Sequence, residues 1–167
     1  LAEYEYQCIR SFRARHVAAV VLLSGGQGVD GKPYRNYPCP IINIDHLHDG
    51  IECDRIRVDR SYGIFEATNH LLELGHRRIA FFSGRTASPW AQERLEGYRR
   101  ALREADIEMD DHLIFNAGST IEGGEKAALQ MINEAPAATA IQAVNDLVAI
   151  GAATTLLNQG LNIPGRI

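Results

Sequence analysis

The chain has 167 residues, enough for one ordinary domain or two small lobes. Its 46% hydrophobic and 23% charged residues support a packed core and argue against disorder. Residues 1–76 hold 8 Lys and Arg against 10 Asp and Glu, and residues 77–167 hold 9 against 11, so neither half offers the basic footprint of a nucleic-acid surface. No apolar run approaches the ~18 residues that cross a bilayer, and no signal-peptide pattern opens the chain. Cys8, Cys39 and Cys53 are an odd set without a framework spacing, which argues against disulfides and fits a reducing cytoplasm. The opening at Leu1, with no methionine, leads us to expect a fragment.

Residues 2–14 are predicted as an amphipathic helix with Tyr6, Ile9 and Arg13 along one face, followed by a buried strand at Val17–Leu23. Gly26, Gly28 and Gly31 then make a literal G-x-G-x-x-G, with Asp45 nineteen residues beyond its first glycine. A dinucleotide site needs those glycines to open a helix, and Pro33, Pro38 and Pro40 exclude one. The stretch is a loop, not a cofactor site.

Ile41–Ile44 is a second strand, ending at Asp45-His46-Leu47-His48-Asp49. With Cys53 and Asp54 nearby these histidines could hold a metal, but no further ligand cluster accompanies them and a polar loop explains them as well. We therefore expect no metal. Arg55–Val58 is a short strand, and Asp59 or Ser61 caps a helix running to Leu74 and stopped by Gly75. Tyr62 lies in its first turn. Ile79-Ala80-Phe81-Phe82 is an apolar run without alternation, as a strand covered on both faces should be. After Ser83-Gly84 comes a loop with Pro89 and Trp90, then a helix with Ala91, Leu95, Tyr98 and Leu102 inward. Leu113–Phe115 is a strand, Thr120 caps a helix to about Glu134, Ala138–Val144 is a strand, and Asn145 opens a last helix closed by Gly160. Strands and helices alternating in this way predict an α/β fold with doubly wound parallel sheets, whose ligands bind beyond the carboxyl ends of the strands.

Catalytic signatures are missing: no G-x-S-x-G, Walker A, HExxH or CxxC occurs. His70 and His76 read as structural, and we expect no enzyme. Arg94 sits in the first turn of its helix, among Trp90, Gln92 and Glu93. A cation there gains nothing from the helix dipole. It either pairs with Glu93 or another acid, or offers a guanidinium fork to a ligand. Asn145 is a favoured N-cap residue at a strand's carboxyl end, and Trp90 is either a buried indole or a stacking platform.

Several motifs in order resemble one family. His-Leu-Leu-x-Leu-Gly-His-Arg-Arg-Ile-Ala (70–80), Arg-Leu-x-Gly-Tyr (94–98), Val-Asn-Asp-Leu-x-Ala-Ile-Gly (144–151) and Gly-Leu-x-Ile-Pro (160–164) are similar to the lactose-repressor/galactose-repressor family of bacterial transcriptional regulators. The resemblance runs along the whole chain. It implies a two-lobed, periplasmic-binding-protein-like effector domain that binds a small molecule, a sugar or sugar derivative, in a cleft between lobes. We expect residues 1–76 to form the N-terminal lobe, without its first strand, and 77–167 the C-terminal lobe, without its last strands. The resemblance implies that Arg94 and Asn145 contact the effector, with Asp45, Trp90, Tyr62 and Ser24 as further contacts and no cofactor. It also implies a cytoplasmic homodimeric repressor, with no membrane association, that reaches operator DNA through a helix-turn-helix headpiece not in this sequence. A periplasmic sugar-binding transport protein is the alternative, and the residues preceding the chain would separate the two.

Overall fold

The computed structural model describes residues 2–23, 32–45, 53–85 and 88–167. They fall into two compact units, Leu1–Val58 and Asp59–Ile167. Ser24, the Gly26–Gly31 loop and the His46–Asp49 stretch lie outside the described residues.

The first unit begins with helix α1 (Ala2–Ala14), followed by strands β1 (Val20–Leu22), β2 (Ile41–Ile44) and β3 (Asp54–Ile56). The strands pair in parallel in the order β1-β2-β3. Ile9 from the helix packs with Val20, Leu22, Tyr34 and Ile41 in one small core. Tyr34 donates a hydrogen bond to the Glu5 carboxylate, and the Tyr37 hydroxyl donates to the Ile9 carbonyl at 2.9 Å, so two phenols fasten the segment before β2 to α1. β1 is shorter than the apolar run predicts. Val17 N–H still donates back to Phe12 O of the helix, and pairing with β2 starts only at Val20.

The second unit holds helix α2 (Arg60–Glu73), β4 (Ile79–Ser83), α3 (Pro89–Glu104), β5 (Ile114–Asn116), α4 (Ile121–Glu134), β6 (Ala140–Ala143) and α5 (Asp146–Asn158). Its three strands are parallel in the order β5-β4-β6. All five residues of β4 are buried, as its unbroken apolar run predicts. The pleat then sorts them. Ile79 and Phe81 face one layer with Ile64, Phe65, Leu72, Tyr98 and Leu102 of α2 and α3. Ala80 and Phe82 face the other with Phe115, Met131, Val148 and Leu156.

The compact units divide after Val58, before the expected lobe boundary at 76. Helix α2 supplies half of one layer covering β4, and so groups with the second unit from Asp59 onward. Close approach enforces the assignment: a Cβ on Gly97 of α3 would stand 2.1 Å from the Ser61 carbonyl oxygen of α2. The caps follow their residue types. Asp59, Thr120 and Asn145 each accept a backbone N–H at their helix starts, and Gly75 takes φ +91° after α2.

Helices α4 and α5 cross on small residues. A Cβ on Gly151 would meet the Ile121 carbonyl oxygen at 2.1 Å, and one on Gly124 would meet the Val148 carbonyl oxygen at 2.2 Å. Gly151→Ala should therefore cost about 1–3 kcal/mol by overpacking, seen as a lower urea midpoint at unchanged slope. An unchanged midpoint would mean the helices separate freely. Burial, and then the negative charge of Asp110, push the Tyr98 phenol up to about 12, while its hydroxyl donates to the Ile79 carbonyl at 2.8 Å. A raised folded-state value contributes stability below the unfolded value that is lost as pH rises through the folded one. Stability should fall between pH of about 10 and 12 in the native protein more steeply than in Tyr98→Phe. At neutral pH the same substitution should cost about 1 kcal/mol.

Candidate functional site

In the second unit the sheet order sets the place. From β4 the chain goes to α3 and then β5 on one side, while β6 pairs on the other side of β4 and leads to α5. Helix α3 covers the Phe81 face and α5 the Phe82 face. Adjacent strands whose following helices leave to opposite faces open a crevice at their carboxyl ends, the ligand position of doubly wound sheets. Gly84 and Arg85 after β4 and Val144–Asn145 after β6 follow the strands at that end.

Helix α3 starts earlier than the sequence reading has it. Pro89 is its first residue, so Trp90 lies within the helix rather than in a loop, and Arg94 falls in the second turn rather than the first. The dipole argument for Arg94 weakens accordingly, since the effect fades beyond the first turn. Packing gives a better one. The Arg-Leu-x-Gly-Tyr motif contains two residues with structural duties, Gly97 at the close approach to α2 and Tyr98 in the core. Arg94 has none. It is half-buried, and among the described residues its guanidinium makes no hydrogen bond or ion pair. Burial foremost, and then the like charge of Arg60, lower its pKa, with Glu93 opposing.

Glu93 is not its partner. That carboxylate lies 3.7 Å from Arg60, the first residue of α2, whose side chain is only 11% exposed. The Arg60 guanidinium also stands 5.0 Å from the centre of the Trp90 ring. Trp90 is thus a half-buried indole holding a cation on one face, a role the sequence reading missed. The available signal was Arg60 itself, a basic residue immediately after an N-cap, where the helix dipole disfavours it.

Asn145 does what its residue type predicts. Its Oδ1 accepts the Val148 N–H at 2.9 Å, and its Nδ2 points to the Ser119 carbonyl at 3.4 Å. It is half-buried, while the neighbouring Asp146 is exposed. Tyr62 is 54% exposed in the first turn of α2. In the first unit, Asp45 directly follows β2 with φ +68°, a left-handed conformation that Asp tolerates better than most residues. Its N–H donates to Ile56 O at 2.7 Å, and its carboxylate receives a long contact of 3.5 Å from Val58 N–H. His76 is structural as expected, with Nδ1 2.9 Å from the Thr139 hydroxyl. Among the described residues no group of His, Cys, Asp and Glu is arranged to hold a metal.

Residues 2–167 match the family model described as periplasmic binding proteins and sugar binding domain of LacI family. The ribose operon repressor of Haemophilus influenzae is 28% identical over 158 residues, covering 95% of this chain and 48% of that protein. The transcriptional repressor CytR of Escherichia coli is 33% identical over 130 residues, 78% of this chain and 38% of CytR. Among solved structures, a sugar-binding LacI-family regulator from Escherichia coli complexed with phosphate superposes with a TM-score of 0.84 at 28% identity, covering 99% of this chain and 60% of that one. The chain spans about half the length of the curated relatives it matches. These relatives are transcriptional repressors, not enzymes. With its sheet order and caps in place along the matched length, the chain belongs to the LacI family of regulators, as a sugar-binding domain of the periplasmic-binding-protein type.

Proposed function

We propose that this chain is the ligand-sensing domain of a cytoplasmic, dimeric transcriptional repressor. Its effector is a small, sugar-like molecule held at the crevice of the second unit. Arg94 is the principal contact, and Asn145 offers the part of its amide that capping leaves available. Trp90 and Tyr62 flank them, and Asp45 and Ser24 carry over from the family resemblance. The observation that carries the reading is the Arg94 guanidinium, half-buried in the second turn of the helix that follows β4, with no hydrogen bond or ion pair among the described residues. A partly desolvated cation without a hydrogen-bonded acceptor is stabilised when one arrives.

Ligand binding would favour one lobe arrangement. In a dimer that preference would alter operator affinity through DNA-binding headpieces, a coupling of typically ~1–3 kcal/mol. The family relatives favour this over periplasmic transport, since they are regulators.

A thermal-shift screen against sugars, sugar phosphates, polyols and nucleobases tests the reading. A ligand at a hundred times its dissociation constant adds about 2.7 kcal/mol of stability. Arg94→Ala should abolish that shift while leaving the unliganded melting temperature in place; unchanged affinity would remove Arg94 from the site. At Asn145 two substitutions separate capping from binding. Asn145→Ala should lose about 1 kcal/mol of stability together with ligand affinity. Asn145→Asp keeps the cap and should lose affinity alone. Full affinity in Asn145→Asp would confine the residue to its capping role.

A further inference from the structure

We infer that Arg60 is a positioning residue of the sensor. It holds the Trp90 indole at the start of α3 as a stacking platform for the C–H face of a closed sugar ring, and so separates ring sugars from open-chain polyols. The inference rests on the sensor reading above and names the ligand shape that the site selects.

The place of the indole leads to it. Trp90 is the only tryptophan in the chain, and an indole stabilises a fold most when its large apolar surface is packed in the core. Here it is half-buried and belongs to none of the three apolar clusters of the described residues. It is instead the second residue of α3. The turn that carries it lies against the strand ends. A Cβ built on Gly84, the residue after β4, would stand 3.4 Å from the Ala91 Cβ and 3.8 Å from the Gly118 carbonyl oxygen beyond β5. From α2 the Arg60 guanidinium stands 5.0 Å from the centre of the ring. Its side chain is only 11% exposed, and Glu93, one turn along α3 from Trp90, holds it at 3.7 Å.

Stability alone does not account for this arginine. As the first residue of α2 it opposes the helix dipole, and a guanidinium taken out of water is more costly than an apolar side chain of the same length. The two helices do not need it as a tie. They are already fixed by the Gly97–Ser61 approach and by the layer of Ile64, Phe65, Leu72, Tyr98 and Leu102. A second contact between the same helices shows the structural form of such a pair. Arg100 of α3 lies 4.1 Å over Phe65 of α2, but it is exposed, it is bonded to Glu104 of its own helix, and the ring it covers is a core ring. At Trp90 the relation is reversed, with a nearly buried cation set against a ring outside the core. A cation fixed by a carboxylate restricts that ring before any ligand arrives, which lowers the ordering cost of binding. The flat indole then matches the apolar C–H face of a closed sugar ring, and an open-chain polyol offers no such face.

Because Trp90 is the sole indole, its fluorescence reports the holding directly. In the unliganded protein Arg60→Met, which keeps the length of the side chain without its charge, should shift the emission and raise quenching by acrylamide, while the far-ultraviolet circular dichroism stays that of the native protein. Arg60→Lys keeps a cation and should restore most of the native signal, which separates holding from a general disturbance of the fold. Binding is then measured by calorimetry for glucose, galactose, ribose and glucose 6-phosphate, each against its open-chain counterpart: glucitol, galactitol, ribitol and glucitol 6-phosphate. At least one ring sugar should bind saturably, with a preference over its polyol of roughly tenfold, the scale of one good aromatic contact. That preference should be lost in Arg60→Met and in Trp90→Ala, and partly kept in Arg60→Lys and Trp90→Phe. Emission and quenching unchanged in Arg60→Met would overturn the inference, since the indole would then need no holding. So would a polyol bound as tightly as its sugar, or a ring preference that survives Arg60→Met once the indole has moved. In each of these cases saturable binding leaves the sensor reading standing. A folded protein that binds no sugar and no polyol would overturn both.

Discussion

Strand β4 is the constraint on which the second unit depends. It is central in its sheet and has no solvent face, so every residue must be covered by a helix. The pleat of four apolar residues then dictates two separate helix layers, one fixed by Ile79 and Phe81 and the other by Ala80 and Phe82. Each layer contains a crossing too close for any Cβ, at Gly97 under Ser61 and at Gly124 and Gly151 between α4 and α5. The crevice at the strand ends is a by-product of this arrangement. Helices committed to opposite faces must diverge as they leave adjacent strands.

Much of this was legible because it is local. A fully apolar run between a glycine stop and a Ser-Gly turn has few readings other than a buried strand. The three helix caps depend on one side chain each, and Asp59, Thr120 and Asn145 all cap as their types require. What was misplaced depends on partners distant in sequence. Which compact unit α2 joins is one example, since its pattern is amphipathic either way and its packing against α3 decides the grouping. Strand ends moved for the same reason: the Val17–Leu23 run is apolar along its length, but pairing with β2 spans Val20–Leu22. The start of α3 at Pro89 was a different kind of miss, since proline is a favoured first helical residue and was read as part of a loop.

The site divides along the same line. Arg94 and Asn145 were found by motif and position, and the structure gives them different standing. Asn145 has a sufficient structural occupation in capping α5, so its side chain alone does not argue for a ligand. Arg94 has no such occupation, and its motif neighbours Gly97 and Tyr98 do. Subtracting the structural duties of Gly97 and Tyr98 from the motif leaves Arg94 as the residue proposed to meet the ligand. Composition could not reveal that Glu93 turns to Arg60 rather than to its sequence neighbour, because the choice depends on two helices meeting at their starts.

That choice also sets the electrostatic character of the crevice. Had Glu93 paired with Arg94, the cluster would present a neutral, satisfied surface, and Arg60 would be the cation left over. Instead Glu93 pairs with Arg60, which is nearly buried and stands over the Trp90 ring, and Arg94 on α3 keeps only the longer-range attraction of that carboxylate. A guanidinium that is partly desolvated and repelled by a neighbour is poised for binding in a thermodynamic sense. The energy that raises its free state is recovered only when an acceptor arrives. That cost is confined to the start of α3, while the sheet and helix layers carry the stability that allows it.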